Sequence, residues 1–198
     1  MQMNGFSAGV EPGGLYRMAD IQLLICYILA SVPDPLPRSM LMDVVVGNGM
    51  ANFFETTEAL ENLLTVGSVS QDDSEDQRLT VSDNGKAAVN TLYDRLPLTL
   101  RERSVKSALQ ALARRRNEQD TDVTVTPLTH GCSVSCSIKD GEAPLMSLQL
   151  KVADEQQADM IRNRFLDDPG ILYRSIIAIL TGRYFVREVD GKPVIQVL

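Results

Sequence analysis

Ile21, Leu24, Ile25, Ile28 and Leu29 recur at spacings of three and four, which predicts a helix over 20–31 with one buried stripe. Asp20 offers it an N-terminal cap, and the prolines of "VPDPLP" end it by removing backbone donors. A second helix is expected from Pro37, whose fixed φ suits a first turn, through "RSMLMDVVV" to Gly47. Val44, Val45 and Val46 are poor helix formers, so burial must hold that helix. A third follows Asn52, with Glu55 three positions on as in a reciprocal cap; it turns Leu60, Leu63 and Leu64 inward and stops at Gly67.

The period then changes from about 3.6 to 2. "SVS" and "RLTVS" alternate as half-buried strands around the polar loop "QDDSEDQ". A fourth helix starts with Ser82 or Asp83 as cap, and Leu96 with Pro97 separates it from a long helix from Leu98 to Arg116. Leu100, Val105, Leu109 and Leu112 give that helix an apolar stripe for its own domain or for a partner chain.

After "NEQDTD" the pattern is alternation again: "VTVTPL", "CSVSCSIK" and "LMSLQLKV", with "KDGE" turning the second into the third. Three strands alone are marginal, so "DEQQADMIRNRFL" and "DPGILYRSIIAILTG" are expected to be helices covering one face. "YFVREVDGKPVIQVL" reads as a closing hairpin about Asp190 and Gly191. The expected class is α+β, in four segments. These are a flexible leader at 1–18, a helix-and-hairpin domain at 19–96, a basic linker or dimerisation helix at 97–118, and a C-terminal domain of antiparallel sheet plus helices at 119–198.

Composition narrows the function classes. The 198 residues suffice for one larger domain or two small ones, and 44% hydrophobic content with 23% charge is that of a folded chain. Without Trp and with 5% aromatics, a broad stacking platform for single-stranded nucleic acid is not expected. Three cysteines and one histidine make neither a disulfide framework nor a four-ligand zinc set, which suits a reducing compartment. No secretory leader is legible, and the apolar run at 21–32 is shorter than the roughly 20 residues a membrane span needs. A cytoplasmic protein without a membrane partner is expected.

No catalytic group, cofactor or metal site is expected either. "GNGMAN" lacks the spacing and the lysine of a phosphate-binding loop, and "CSVSC" has neither redox nor zinc spacing, so its thiols read as core. His130, in "LTHGCS", has no nucleophile or carboxylate beside it, and "DDSED" reads as a solvated loop. Met40, Met42, Met50 and Met160 read as core filling. Charge is more informative. Arg95, Arg101, Arg103, Lys106, Arg114, Arg115 and Arg116 stand against Glu102 alone, in a chain whose net charge is −7. Such asymmetry marks either a nucleic-acid or acidic-partner contact or a basic helix packed beside an acidic domain.

The order helix, helix, helix, "LLTVGSV", polar loop, "LTVSDNGKAAV" resembles the winged-helix transcription regulators of bacteria. With "IQLLICYIL", the Pro-rich turn, "NFF" and "DPGILYRSIIAIL", most of 19–180 resembles a bacterial family of unassigned function. That family joins an N-terminal winged helix-turn-helix domain to a C-terminal α+β domain. The resemblance implies a regulator that binds double-stranded DNA as a homodimer; the alternative is a protein–protein interaction or dimerisation module that does not bind DNA. By position, the DNA-contacting residues would be Arg38, Ser39, Thr56, Thr57, Asn62, Arg78, Lys86, Arg114, Arg115 and Arg116. The long helix would be the dimer seam, and the C-terminal domain a dimer platform or the site of a small-molecule effector. Against the DNA expectation stand Glu55, Glu58 and Glu61 on the third helix and Asp72, Asp73, Glu75 and Asp76 in the loop, because affinity for phosphate comes from cations.

Overall fold

The computed structural model describes residues 10–189 and 192–197. The chain is α+β and forms two compact units, Met1–Leu112 and Ala113–Leu198, so the division falls within a helix.

In the first unit α1 (Met18–Ser31) buries Ile21, Leu24, Ile25 and Ile28 completely. It starts ahead of the expected cap. Arg17 occupies the cap position without a side-chain bond, and Asp20 lies in the first turn, paired with Arg95 at 3.3 Å. "VPDPLP" does more than end a helix: Leu36–Pro37 form a short strand, β1, at the edge of a sheet, where proline's missing donor is tolerated. Pro37 therefore precedes α2 (Arg38–Val45) rather than opening it. At α3 (Phe53–Thr65) the Asn52 side chain accepts a hydrogen bond from the Glu55 amide at 2.8 Å, as expected for a cap.

The hairpin of β2 (Val69–Gln71) and β3 (Arg78–Val81) completes an antiparallel sheet in the order β1-β3-β2, with Leu36 opposite Leu79 and Val69 opposite Val81. Ser82 then caps α4 (Asp83–Leu92), its hydroxyl oxygen accepting from the Gly85 amide at 3.3 Å. A side chain at Gly85 would place its Cβ 2.5 Å from the Ser68 carbonyl oxygen, so the close approach of α4 to β2 needs glycine. A 3-10 turn, Tyr93–Arg95, leads to α5 (Leu98–Asp120).

Two expectations change here. The leader was expected to be flexible over 1–18. Residues 1–9 lie outside the described part, but the Leu15 amide donates to the Met50 carbonyl at 2.7 Å, the Glu11 amide donates to Gly49, and Leu15 is buried. The stripe of α5 is also rotated from the expected one. Leu100, Ser104 and Ala108 are buried, whereas Val105 is half-buried and Leu109 is 42% exposed. Small residues at 104 and 108 let the helix lie close to the core, and an apolar count passes over them.

The second unit holds β4 (Thr121–Pro127), β5 (Cys132–Asp140) and β6 (Ala143–Val152), antiparallel in that order. Val134 and Cys136 point to the inner face with Val123, Val125 and Met146, where α6 (Glu155–Asp167) contributes Ala158 and Phe165. Asp154 caps α6 through the Gln157 amide at 2.8 Å; Asp168 caps α7 (Pro169–Leu180) through the Ile171 amide at 2.9 Å. β7 (Tyr184–Val189) and β8 (Lys192–Val197) pair as a separate two-stranded hairpin, whose expected turn residues Asp190 and Gly191 lie outside the described part. Met50 is fully buried and Met40 partly, but Met160 is 66% exposed, so it is not core filling.

Cys26, Cys132 and Cys136 are free and buried. Burial pushes the Cys26 thiol from its ordinary value of 9.0 up to about 11. The folded state thus holds a proton that the unfolded chain gives up above pH 9. Stability is complete below pH 9 and falls as pH rises to about 11, by about 2–3 kcal/mol from this group. Urea unfolding between pH 8 and 11 should show this decline in the wild type and a shallower one in Cys26→Ala.

Candidate functional site

The outward face of α3 is defined by what the inward face consumes. Thr56, Ala59, Leu60 and Leu63 are buried, which leaves Phe54, Glu58, Glu61, Asn62 and Thr65 pointing away from the core. Thr56, an expected DNA contact, is therefore not at the surface. It is fully buried, with its hydroxyl donating to the Asn52 carbonyl at 2.6 Å, a local bond that satisfies the polar group in the interior. Thr57 is half-buried and its hydroxyl donates to the Phe53 carbonyl at 2.8 Å.

Arg38 opens α2 beneath this face and joins three parts of it. Its guanidinium donates to Glu61 at 2.5 Å and to Gln71 of β2 at 3.3 Å, while its backbone amide donates to the Asp76 carbonyl. Arg78 pairs with Asp76 at 3.5 Å and Lys86 with Asp83 at 3.7 Å. Each exposed pair contributes little stability, about 0.2–1 kcal/mol, but each cation already has an anion of the same unit beside it. Ser39 is exposed at the start of α2 and Asn62 on α3.

The β2–β3 loop is organised by one of its own carboxylates. Asp72 Oδ1 accepts from the Ser74 hydroxyl at 2.6 Å and from the amides of Ser74 and Arg78 at 3.2 and 2.8 Å. The Ser74 hydroxyl, with these amides, holds the Asp72 carboxyl below its ordinary value. The acidic run is thus in part structural. Asp73 and Glu75 remain exposed on it.

The basic stretch is also occupied. Arg101 pairs with Asp94 at 3.8 Å and lies 5.0 Å over the Tyr93 ring. Arg103 reaches Glu11 at 3.0 Å and the Asn48 carbonyl at 3.1 Å, fastening α5 to the turn after α2. Arg114, Arg115 and Arg116 belong to the second unit. There Arg114 binds Asp167 at 2.9 Å and Asn163 at 2.8 Å, and neither Arg115 nor Arg116 is without a partner. The structure therefore brings Arg38, Glu61, Gln71, Asp76 and Arg78 together, with Asn62 on the same helix as Glu61.

Sequence reasoning missed the two phenylalanines at the start of α3. Phe53 and Phe54 are 54% and 82% exposed and meet edge to face, centroids 5.8 Å apart. The signal was available, since position 54 lies one turn before Glu58 on the outward face. A cavity of about 330 Å³ opens between α1, α3 and α4, with Leu23, Leu63, Val66 and Leu92 among its apolar walls and Asn62 and Arg95 among its polar ones. His130 is exposed in the turn between β4 and β5. Among the described residues no cluster of three or more His, Cys, Asp or Glu is placed to hold a metal, and no helix is long and apolar enough to cross a membrane.

No curated protein and no solved structure matches the chain. The family described as "Domain of unknown function (DUF4364)" matches residues 21–180, from within the first turn of α1 to the end of α7, and the chain belongs to that family.

Proposed function

We propose that the first unit is a winged helix, with β2–β3 as its wing and α3 as its outward helix, and that this face binds a protein partner in gene regulation. The order β1-β3-β2 against three preceding or interleaved helices supports the winged-helix reading. One observation carries the choice of partner: the cations of the face are paired within it, Arg38 with Glu61 and Arg78 with Asp76, while Phe54 and Glu58 face outward. Phosphate binding would require those cations to leave their carboxylates and would place Glu58, Asp73 and Glu75 against a polyanion. A partner protein gains from the exposed aromatics and from hydrogen bonds to the carboxylates. Three buried free thiols fit action in the cytoplasm.

A second reading, a homodimeric DNA-binding regulator, is favoured by Ser39 and Asn62, which stand exposed where winged helices address phosphates and bases. The basic residues from Arg95 to Arg116 would supply its cations. Titrating the purified protein against random duplex DNA from low to physiological salt separates the two. The proposal expects no complex even at low salt. A complex that weakens steeply with salt and is lost when Arg114, Arg115 and Arg116 become Ala would overturn it.

A further inference from the structure

We propose that the cavity between α1, α3 and α4 binds a small organic acid, its apolar body held between the helices and its anionic group at Arg95. The inference holds whichever partner α3 meets. The cavity lies wholly within the first unit and measures about 330 Å³. Sites for small molecules run from roughly 300 to 1,000 Å³, so it takes a ligand of modest size.

Side-chain size at helical spacing explains why the space is there. α1 contributes Ala19, Leu23 and Cys26, and α4 contributes Gly85, Ala88 and Leu92, each set at intervals of four and three and so on one face of its helix. Small residues at 19, 85 and 88 leave open what larger ones would fill. Leu23, Cys26, Leu63 and Gly85 are buried and make the floor, while Val66 and Leu92, 69% and 39% exposed, stand at the rim. Burial keeps the Cys26 thiol protonated through neutral pH, so the floor carries no charge. A ligand body there would take the rim side chains out of water.

Charge selects the ligand class. The chain carries −7, yet among the described residues lining the cavity none is a carboxylate and Arg95 alone is charged. Asp20, which is not part of the lining, binds Arg95 at 3.3 Å through one nitrogen. A guanidinium has five donors in a planar fork, so an anion in the cavity can take others of them. A cationic ligand would meet only like charge. A purely apolar one would displace water from Gln22, Asn62 and Arg95 without replacing its hydrogen bonds.

The test titrates the full chain with a fluorescent acid, anilinonaphthalene sulfonate, and with the same molecule lacking its sulfonate. The wild type should bind one sulfonate probe per chain, and bound probe should slow hydrogen exchange in α1, α3 and α4 while leaving α7 unchanged. Ala88→Phe, at an exposed position of α4, puts a ring into the cavity and should weaken both probes with unchanged circular dichroism. Arg95→Gln should weaken the sulfonate probe about 10-fold or more, the loss of a hydrogen bond between charged groups, and the neutral probe far less. Arg95→Lys should restore part of that loss. A wild type without one-to-one binding, a sulfonate probe that protects α7 instead and binds Ala88→Phe as tightly, or an Arg95→Gln variant that weakens both probes alike would each overturn the proposal.

Discussion

Leu60→Ala is expected to lower the stability of the first unit by about 2–5 kcal/mol, a large share of the 5–15 kcal/mol typical of a folded domain. Leu60 is fully buried on α3, in line with Thr56 and Leu63, and α3 packs against both α1 and α2. Truncation loses the transfer free energy of the side chain and leaves a cavity that the fully buried core it belongs to, with Ile25 and Leu41 among its members, fills only in part. Urea unfolding followed by hydrogen exchange in α1 and α3 should show a lower midpoint with an unchanged dependence on urea. Glu58→Ala, on the opposite side of the same helix, should change stability by less than about 0.5 kcal/mol. A loss below 1 kcal/mol for Leu60→Ala would mean that the inward face of α3 is not the one described.

Gly131→Ala should destabilise the second unit by about 2–6 kcal/mol, because backbone strain and overpacking coincide there. Gly131 has a φ of 78°, a region L side chains rarely adopt, and its Cβ would stand 2.0 Å from the Val152 carbonyl oxygen. That oxygen belongs to the residue paired with Cys132, so relief of the clash must move the end of β6 away from β5. Gly141 is the control: its φ is 62° but a Cβ there meets nothing within 4 Å, so Gly141→Ala should cost only the conformational term of about 1–2 kcal/mol. Thermal unfolding of both variants, with exchange measured in β5 and β6, checks the difference. Equal losses would show that the strand end gives way freely and that only the dihedral angle matters.

Much of the architecture was legible because it depends on short-range chemistry. The caps at Asn52 and Ser82, the stop at Gly67 and the alternation of Cys132, Val134 and Cys136 each involve residues a few positions apart. Reading failed where a small or polar residue took a buried place. Thr56 counts as polar in any tally, yet its hydroxyl is satisfied one turn back at Asn52, so it sits inside with Leu60 and Leu63. Ser104 and Ala108 rotated the buried stripe of α5 in the same way. β1 was illegible because two residues, one of them a proline, become a strand only through β3, some forty residues later in the chain.

The candidate site divides along the same line. By itself the sequence determined that α3 and the following loop are acidic and that the stretch from Arg95 to Arg116 is basic, since charge is a property of composition. It also determined the helices and strands that carry them, through periodicity and turn chemistry. Tertiary structure alone decided that Arg38 meets Glu61 across 23 positions and Arg103 meets Glu11 across 92, and that Phe54 and Leu180 are left facing outward. Pairing and exposure depend on which surfaces the packed core brings together or leaves uncovered, and no local pattern encodes that.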